Sequence, residues 1–208
     1  MTVTIDWLGH AGFKITASMR IYIDPWKIKD SPHDADVVLI SHDHYDHYVA
    51  EDVHKVAAPA TRLIASADVV AKHGSGQSLA PGQTLRIESL SLTATAAYNI
   101  DKDFHPKANN WLGFVIELDG KRIYYAGDTD HIPEMNDVGN IDLALLPVGG
   151  TYTMDPAQAA DVANQLNPKA ALPYHWGDIV GSRKDADHFA ELCKCPTVVL
   201  NPAQSTTL

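Results

Sequence analysis

Only two cysteines occur in the 208 residues, Cys193 and Cys195, and a single residue separates them. They lie too close together to join distant elements and have no second pair, which excludes a disulfide-stapled scaffold. A reduced structural pair is expected, with a C-x-C metal clip as the alternative. Cations are scarce too: 16 Lys and Arg against 26 Asp and Glu leave a formal net charge of −10. Such a chain lacks the basic face that phosphate-backbone binding requires, so nucleic acid is not an expected partner, although a local basic pocket stays open. No apolar run approaches the roughly 20 residues of a membrane-spanning helix. The opening M-T-V-T-I-D-W-L-G-H-A-G-F has neither the basic n-region nor the unbroken apolar h-region of a secretion signal. The expectation is a soluble cytoplasmic protein that makes no membrane contact. Internal repeats, low-complexity tracts and compositional breaks are also absent, which predicts one domain over residues 1–208.

What is present reads as α/β. Short β-branched runs at Thr2–Trp7, Phe13–Thr16, Arg20–Ile23 and Val37–Ile40 predict one sheet layer. A helix around Glu51–Ala57, a strand Leu63–Ala65 and a helix Ala67–Lys72, capped by Ser66 and ended by Gly74, follow. Strands at Thr84–Ile87, Leu90–Ala96, Leu112–Leu118 and Arg122–Tyr125 predict a second layer, the last two joined by an Asp119-Gly120 hairpin. The polar stretch Tyr98–Asn110 between them has no periodicity and is long enough for a functional loop. The last third predicts a strand Leu143–Leu146, a helix from Pro156 to Leu166 capped by Asp155, a strand Ala170–Pro173, a helix Asp185–Cys193 and a strand Thr197–Leu200. This order suits two mixed sheets packed face to face with helices outside, and hairpins argue against a doubly wound parallel sheet.

The chemistry concentrates in Ser41-His42-Asp43-His44-Tyr45-Asp46-His47, directly after the apolar run Val37–Ile40. Three imidazoles and a carboxylate in six residues suit Zn²⁺, with Mn²⁺ or Fe as alternatives, because a loop at a strand end aims alternate side chains into one cleft. The competing reading is a polar turn with incidental histidines.

This H-x-H-x-D-H segment resembles the signature of the metallo-β-lactamase superfamily, and the resemblance covers nearly the whole chain. It implies an αββα sandwich and hydrolysis by metal-activated water at one or two ions. Tyr22-Ile23-Asp24-Pro25 is similar to the family's first motif, which implies that Asp24 braces the metal loop. Tyr125-Ala126-Gly127-Asp128-Thr129 is similar to the fourth, making Asp128 a bridging ligand if two metals bind. Pro173-Tyr174-His175-Trp176 is similar to the fifth, making His175 a ligand of the second metal. The ligand set implied is His42, His44, Asp46, His47, Asp128 and His175. The third motif departs from the pattern: where the family has a histidine, this chain reads Ala97-Tyr98-Asn99. His105, further along the same loop, is the candidate to replace it, with a solvated loop histidine as the alternative.

The opening Trp7-x-Gly9-His10-Ala11 resembles the ascorbate-6-phosphate lactonase-like branch, so His10 is expected to line the cleft as a supporting group or to cap a turn. His131 stands open in the same way. Asp46 is expected to hold the nucleophilic water, and Tyr98 or His105 to stabilise the developing oxyanion. Lys102, Lys107, Arg183 and Lys184 flank the expected cleft, which suggests a small anionic substrate, with ordinary surface charge as the alternative. A non-catalytic metal-binding protein and a metal-dependent oxidoreductase are the rival readings; His at position 44 opposes a flavodiiron-type centre, where a carboxylate stands. Neither substrate identity nor oligomeric state is legible.

Overall fold

The computed structural model describes residues 2–208. One sheet takes β1 (Thr4–Gly9), β2 (Gly12–Thr16), β3 (Arg20–Ile23), β4 (Ala35–Ile40), β5 (Ala57–Ala65), β6 (Gln77–Ser78) and, from far along the chain, β13 (Ser205–Thr207). Their spatial order is β13-β1-β2-β3-β4-β5-β6. The other takes β7 (Thr84–Ile87), β8 (Leu90–Ala96), β9 (Leu112–Leu118), β10 (Lys121–Tyr125), β11 (Leu143–Pro147) and β12 (Ala170–Tyr174), ordered β12-β11-β10-β9-β8-β7. Both sheets are mixed: β3, β4, β5 and β6 run parallel, as do β10, β11 and β12, while the other pairings are antiparallel.

Alternation along each strand decides what each face meets. In β4, Val37 and Leu39 join the core shared with the second sheet, whereas Val38 and Ile40 join a separate cluster with Val53, Val56 and Val69. Those last three belong to α1 (Ala50–Val56) and α2 (Ala67–His73), which cover the outer face of the first sheet. The inner faces meet through Phe13, whose ring stands edge-on to Tyr125 at 6.2 Å and to Tyr174 at 5.6 Å. On the other flank α3 (Pro156–Leu166) and α4 (Arg183–Leu192) bury Ala159, Val162, Ala163 and Phe189. The Asp155 carboxylate and the Gln158 side chain close a reciprocal cap at the start of α3.

The expected αββα sandwich is therefore the fold, with local differences. Asp119 and Gly120 both take positive φ and turn β9 tightly into β10, as the dipeptide predicted. Strand β5 starts at Ala57 rather than Leu63, because a register shift against β4 accommodates Pro59. Ser66 sits at the N-cap of α2, yet its hydroxyl donates to the Asp68 carboxylate instead of capping the helix. The expected strand Thr197–Leu200 does not form; only Thr197 bridges Ala171, and Val198 and Val199 pack on the core as irregular chain. The edge of β1 is filled instead by polar β13. Among the described residues no helix is long and apolar enough to cross a membrane.

Candidate metal centre

Strand ends bring the chemistry together. Asp24 follows β3, His42 to His47 follow β4, Asp128 follows β10 and His175 follows β12. The turn after β10 needs glycine: Gly127 has φ +72°, and a Cβ there would lie 2.4 Å from the Leu112 carbonyl oxygen. Asp24 and His175 themselves take positive φ, at 43° and 62°, a backbone choice that aims each side chain sideways from its strand.

Two groups of donors result. His10, Asp46, His47 and His175 place ligand atoms within 4.8 Å of one another, as do His42, His44 and His105. Asp128 stands between them: its Oδ2 lies 2.9 Å from His175 Nε2, 3.3 Å from His47 Nε2 and 3.4 Å from His105 Nε2. His105, the candidate for the displaced third motif, is thus buried beside His42 and His44, with ring centroids 5.2 and 5.0 Å away. All eight of these residues except His44 are buried.

Hydrogen bonds behind the rings set which nitrogen faces the cluster. Asp24 accepts from Ser41 N (2.7 Å), Ser41 Oγ (2.5 Å), Tyr125 OH (2.7 Å) and His47 Nδ1 (2.7 Å). His47 therefore presents Nε2 inward. Because the Ser41 proton goes to Asp24, His42 Nδ1 donates to Ser41 Oγ at 2.9 Å and its Nε2 accepts from His44 Nδ1 at 3.0 Å. Asn99 Oδ1 accepts from both the backbone N–H and Nδ1 of His105, at 3.0 and 2.9 Å, which turns Nε2 toward Asp128. His10 Nε2 donates to Asp46 at 2.9 Å, and its carbonyl accepts from Trp7 Nε1 and His175 N, so the expected support and turn-anchoring roles coexist in one residue.

Electrostatics favour a cation. Burial disfavours imidazolium at His42, and His47 nearby adds to this, so its pKa falls well below the usual histidine value. Burial and His105 lower His44 as well. Burial opposes the anion at Asp46, but the bond from His10 outweighs it and brings the carboxyl to about 2. Asp128 is held well below the usual carboxylate range, burial being overcome by His175 and His47. Conversely, the Asp128 and Asp24 carboxylates outweigh burial and raise His47 well above normal, marking the spot where the site draws positive charge.

A divalent metal fits this donor set. Among the described residues, every buried side-chain polar atom without a hydrogen-bond partner, except Thr95 Oγ1, belongs to the cluster: His10 Nδ1, His47 Nε2, His105 Nε2, Asp128 Oδ1 and both His175 nitrogens. Buried polar atoms are rarely left unpaired, and imidazole nitrogens converging on carboxylates are the chemistry of Zn²⁺ and its neighbours.

Several expectations do not hold. Tyr98 points the other way, its hydroxyl donating to Glu134 at 2.9 Å and accepting from Lys107 at 3.1 Å beside a separate cavity of about 460 Å³. It is not placed to stabilise an oxyanion at the cluster, because backbone alternation gives that direction to Asn99. His131 bonds Gln165 at 3.2 Å on the exposed side of α3. The flanking cations are engaged or outside: Lys102 pairs with Asp130, Lys107 with Glu134 and Arg183 with Asp187, and Lys184 is exposed. Their placement lends no support to an anionic substrate. Sequence reasoning missed Asn99, Ser41, Tyr125 and Trp111. The last packs on His42 and His44 at 4.8 Å, anchored by Nε1 donating to Asp68. Only Ser41 and Tyr125, adjoining motifs, carried any signal.

Comparison with known proteins agrees with this geometry. Residues 4–175 match the model described as a β-lactamase superfamily domain. A UPF0173 metal-dependent hydrolase of Thermoplasma volcanium is 32% identical over 205 residues, covering 92% of each chain. One of Pelotomaculum thermopropionicum is 32% identical over 228 residues, covering 98% of this chain and 99% of its own. A crystal structure from Parabacteroides distasonis is similar at TM-score 0.85 and 32% identity, covering 95% of this chain and 92% of its own. Igni18, a metallo hydrolase of Ignicoccus hospitalis, gives TM-score 0.80 at 25% identity over 100% and 99%. With the fold, the strand-end donors and these relatives in agreement, the chain belongs to the metallo-β-lactamase superfamily and, within it, to the UPF0173 metal-dependent hydrolases.

Proposed function

We propose that this hydrolase cleaves a small-molecule ester, lactone, amide or phosphodiester at a two-ion centre, with zinc as the first metal to test and manganese or iron as the others. The observation that carries the reading is the convergence of unpartnered buried nitrogens and carboxylate oxygens on Asp128. Asp46, His47 and His175 would hold one ion and His42, His44 and His105 the other, with Asp128 available to both. A bound divalent ion acidifies water and draws electron density from a scissile carbonyl or phosphoryl oxygen. Asp46 stays ionised through the neutral range and orients the attacking water by accepting its hydrogen bond. His10 fixes the Asp46 carboxylate from behind. Asp24, buried and fully bonded, keeps His47 and the Ser41 backbone in place. The resemblance of the W-x-G-H-A opening to the lactonase-like branch keeps lactones among the first bonds to try.

The test is elemental analysis of protein purified without added metal, paired with a screen of lactones, carboxylic esters, acyl amides and phosphodiesters before and after chelation. We expect two equivalents of metal and hydrolysis that chelation abolishes and metal restores. Hydrolysis that survives in metal-free protein would overturn the reading.

A further inference from the structure

The donor cluster opens into a cavity of about 200 Å³ whose lining divides in two. His44, Asp46, His105 and Asp128 are one part; Tyr45, Phe104, Tyr152 and Ile179 are the other, and neither Lys nor Arg lines it. The apolar residues are distributed as the donors are. Tyr45 lies between His44 and Asp46 in the chain, Phe104 directly precedes His105, and Ile179 follows His175 on the loop after β12. Phe104 stands edge-on to Tyr152 at 4.7 Å, and Tyr45 edge-on to Trp26 at 6.2 Å.

These rings are not spent on the core. Tyr45 is 67% exposed and Phe104 46%, two of the four large exposed hydrophobic side chains among the described residues. Apolar surface left in water at the rim of a reactive cleft is surface that a ligand gains by covering. Cations on the adjoining loops are neutralised: Lys27 makes two bonds to the Asp178 carboxylate while lying over Trp26, and Lys102 is held by Asp130 and the Thr153 carbonyl.

Resting on the reading of the site as a hydrolytic metal centre, we infer that its substrate carries an uncharged apolar group, an alkyl chain or aryl ring, next to the scissile bond. Tyr45, Phe104, Tyr152 and Ile179 select that group, so the substrates are neutral hydrophobic esters, lactones or amides. A carboxylate or phosphate in the same place would meet aromatic faces and no free cation.

The probe is a series of hydroxamic acids, from acetohydroxamic to octanohydroxamic acid, titrated calorimetrically into the zinc-loaded full chain. The head group binds metal without turnover and the tail reports the walls. Affinity should rise about three- to fourfold per added methylene until the walls are covered. Tails of the same length ending in carboxylate should bind more weakly. Phe104→Ala and Tyr45→Ala should flatten the slope, the loss growing with tail length. A flat series, or tighter binding of the carboxylate-ended tails, overturns the inference while leaving the metal centre standing. Failure of the chain to hold zinc, manganese or iron, or of acetohydroxamic acid to bind whichever ion it holds, removes the hydrolytic reading and this one with it. A dimer that Phe104→Ala dissociates with the slope unchanged would assign the rings to packing between two copies and also overturn the inference.

Discussion

The two donor groups differ in what stands behind them. Behind His47 is Asp24, buried, rooted at the end of β3 and bonded by Ser41 and Tyr125; behind Asp46 is His10, tied to Trp7 and to the His175 backbone. These supports are strand ends and neighbours that the sandwich core already fixes. Behind His105 is Asn99, a member of the same irregular loop, and the His44 side chain bonds only to His42 and is half-buried. One group is held by the fold; in the other only His42 is tied to that frame, through Ser41 and Asp24, and His105 depends on a loop that folds on itself. The expected consequence is unequal affinity: the Asp46, His47, His175 position fills first and empties last.

Replacing the residue common to both groups should erase the difference, and with it the largest share of function. In Asp128→Asn we expect neither equivalent of metal to be retained and hydrolysis to fall to background, with circular dichroism still reporting a folded chain. His105→Ala should separate the groups: metal content drops from two equivalents to one and the remaining ion binds as before. Retention of both ions in that variant would remove His105 from the ligand set. Asp24→Asn should strike the first position, weakening its metal by roughly 10 to 100-fold because the His47 ring loses its orienting partner. Competition with a fluorescent zinc chelator measures this, and an unchanged constant would show that Asp24 only ends its strand. Asn99→Ala should give the smallest effect, about tenfold or less on the second ion alone. An equal loss at both positions would contradict the separation between a fold-held group and a loop-held group.

The same division explains what the sequence made legible. The H-x-H-x-D-H segment and the strand-end aspartates stand out because donors at fixed spacing follow apolar β runs, so Asp24, Asp46, His47, Asp128 and His175 could be named without coordinates. His105 could be suspected because one position lacked a donor and a long polar loop was at hand. Asn99, Trp111 and Asp68 could not, since their relation to the histidines is purely spatial. Tyr98 misled because neighbouring residues in extended chain face opposite ways, and only the fold shows that Asn99 takes the inward side. The cations misled for a similar reason: Asp130 and Glu134, which hold Lys102 and Lys107, are visible as partners only in three dimensions, whereas Asp187 pairs with Arg183 one helical turn on. In the fold, strands with β-branched faces were read correctly in kind except Thr197–Leu200, which packs on the core as irregular chain, while β6 and β13 escaped because short polar strands owe their form to an edge they pair with rather than to their own pattern.

The pairing of β1 with β13 also has a meaning in time. Thr4 meets Thr207, Ile5 meets Thr206 and Asp6 meets Ser205, so one side of β1 has no hydrogen-bonding partner until β13, far along the chain, has also left the ribosome. Throughout that interval the open edge of β1, carrying fully buried-to-be Ile5 and Trp7, is a template to which another nascent chain can add. Truncation before Asn201 would make that interval permanent, and such a chain should collect in inclusion bodies although every proposed metal ligand is still encoded.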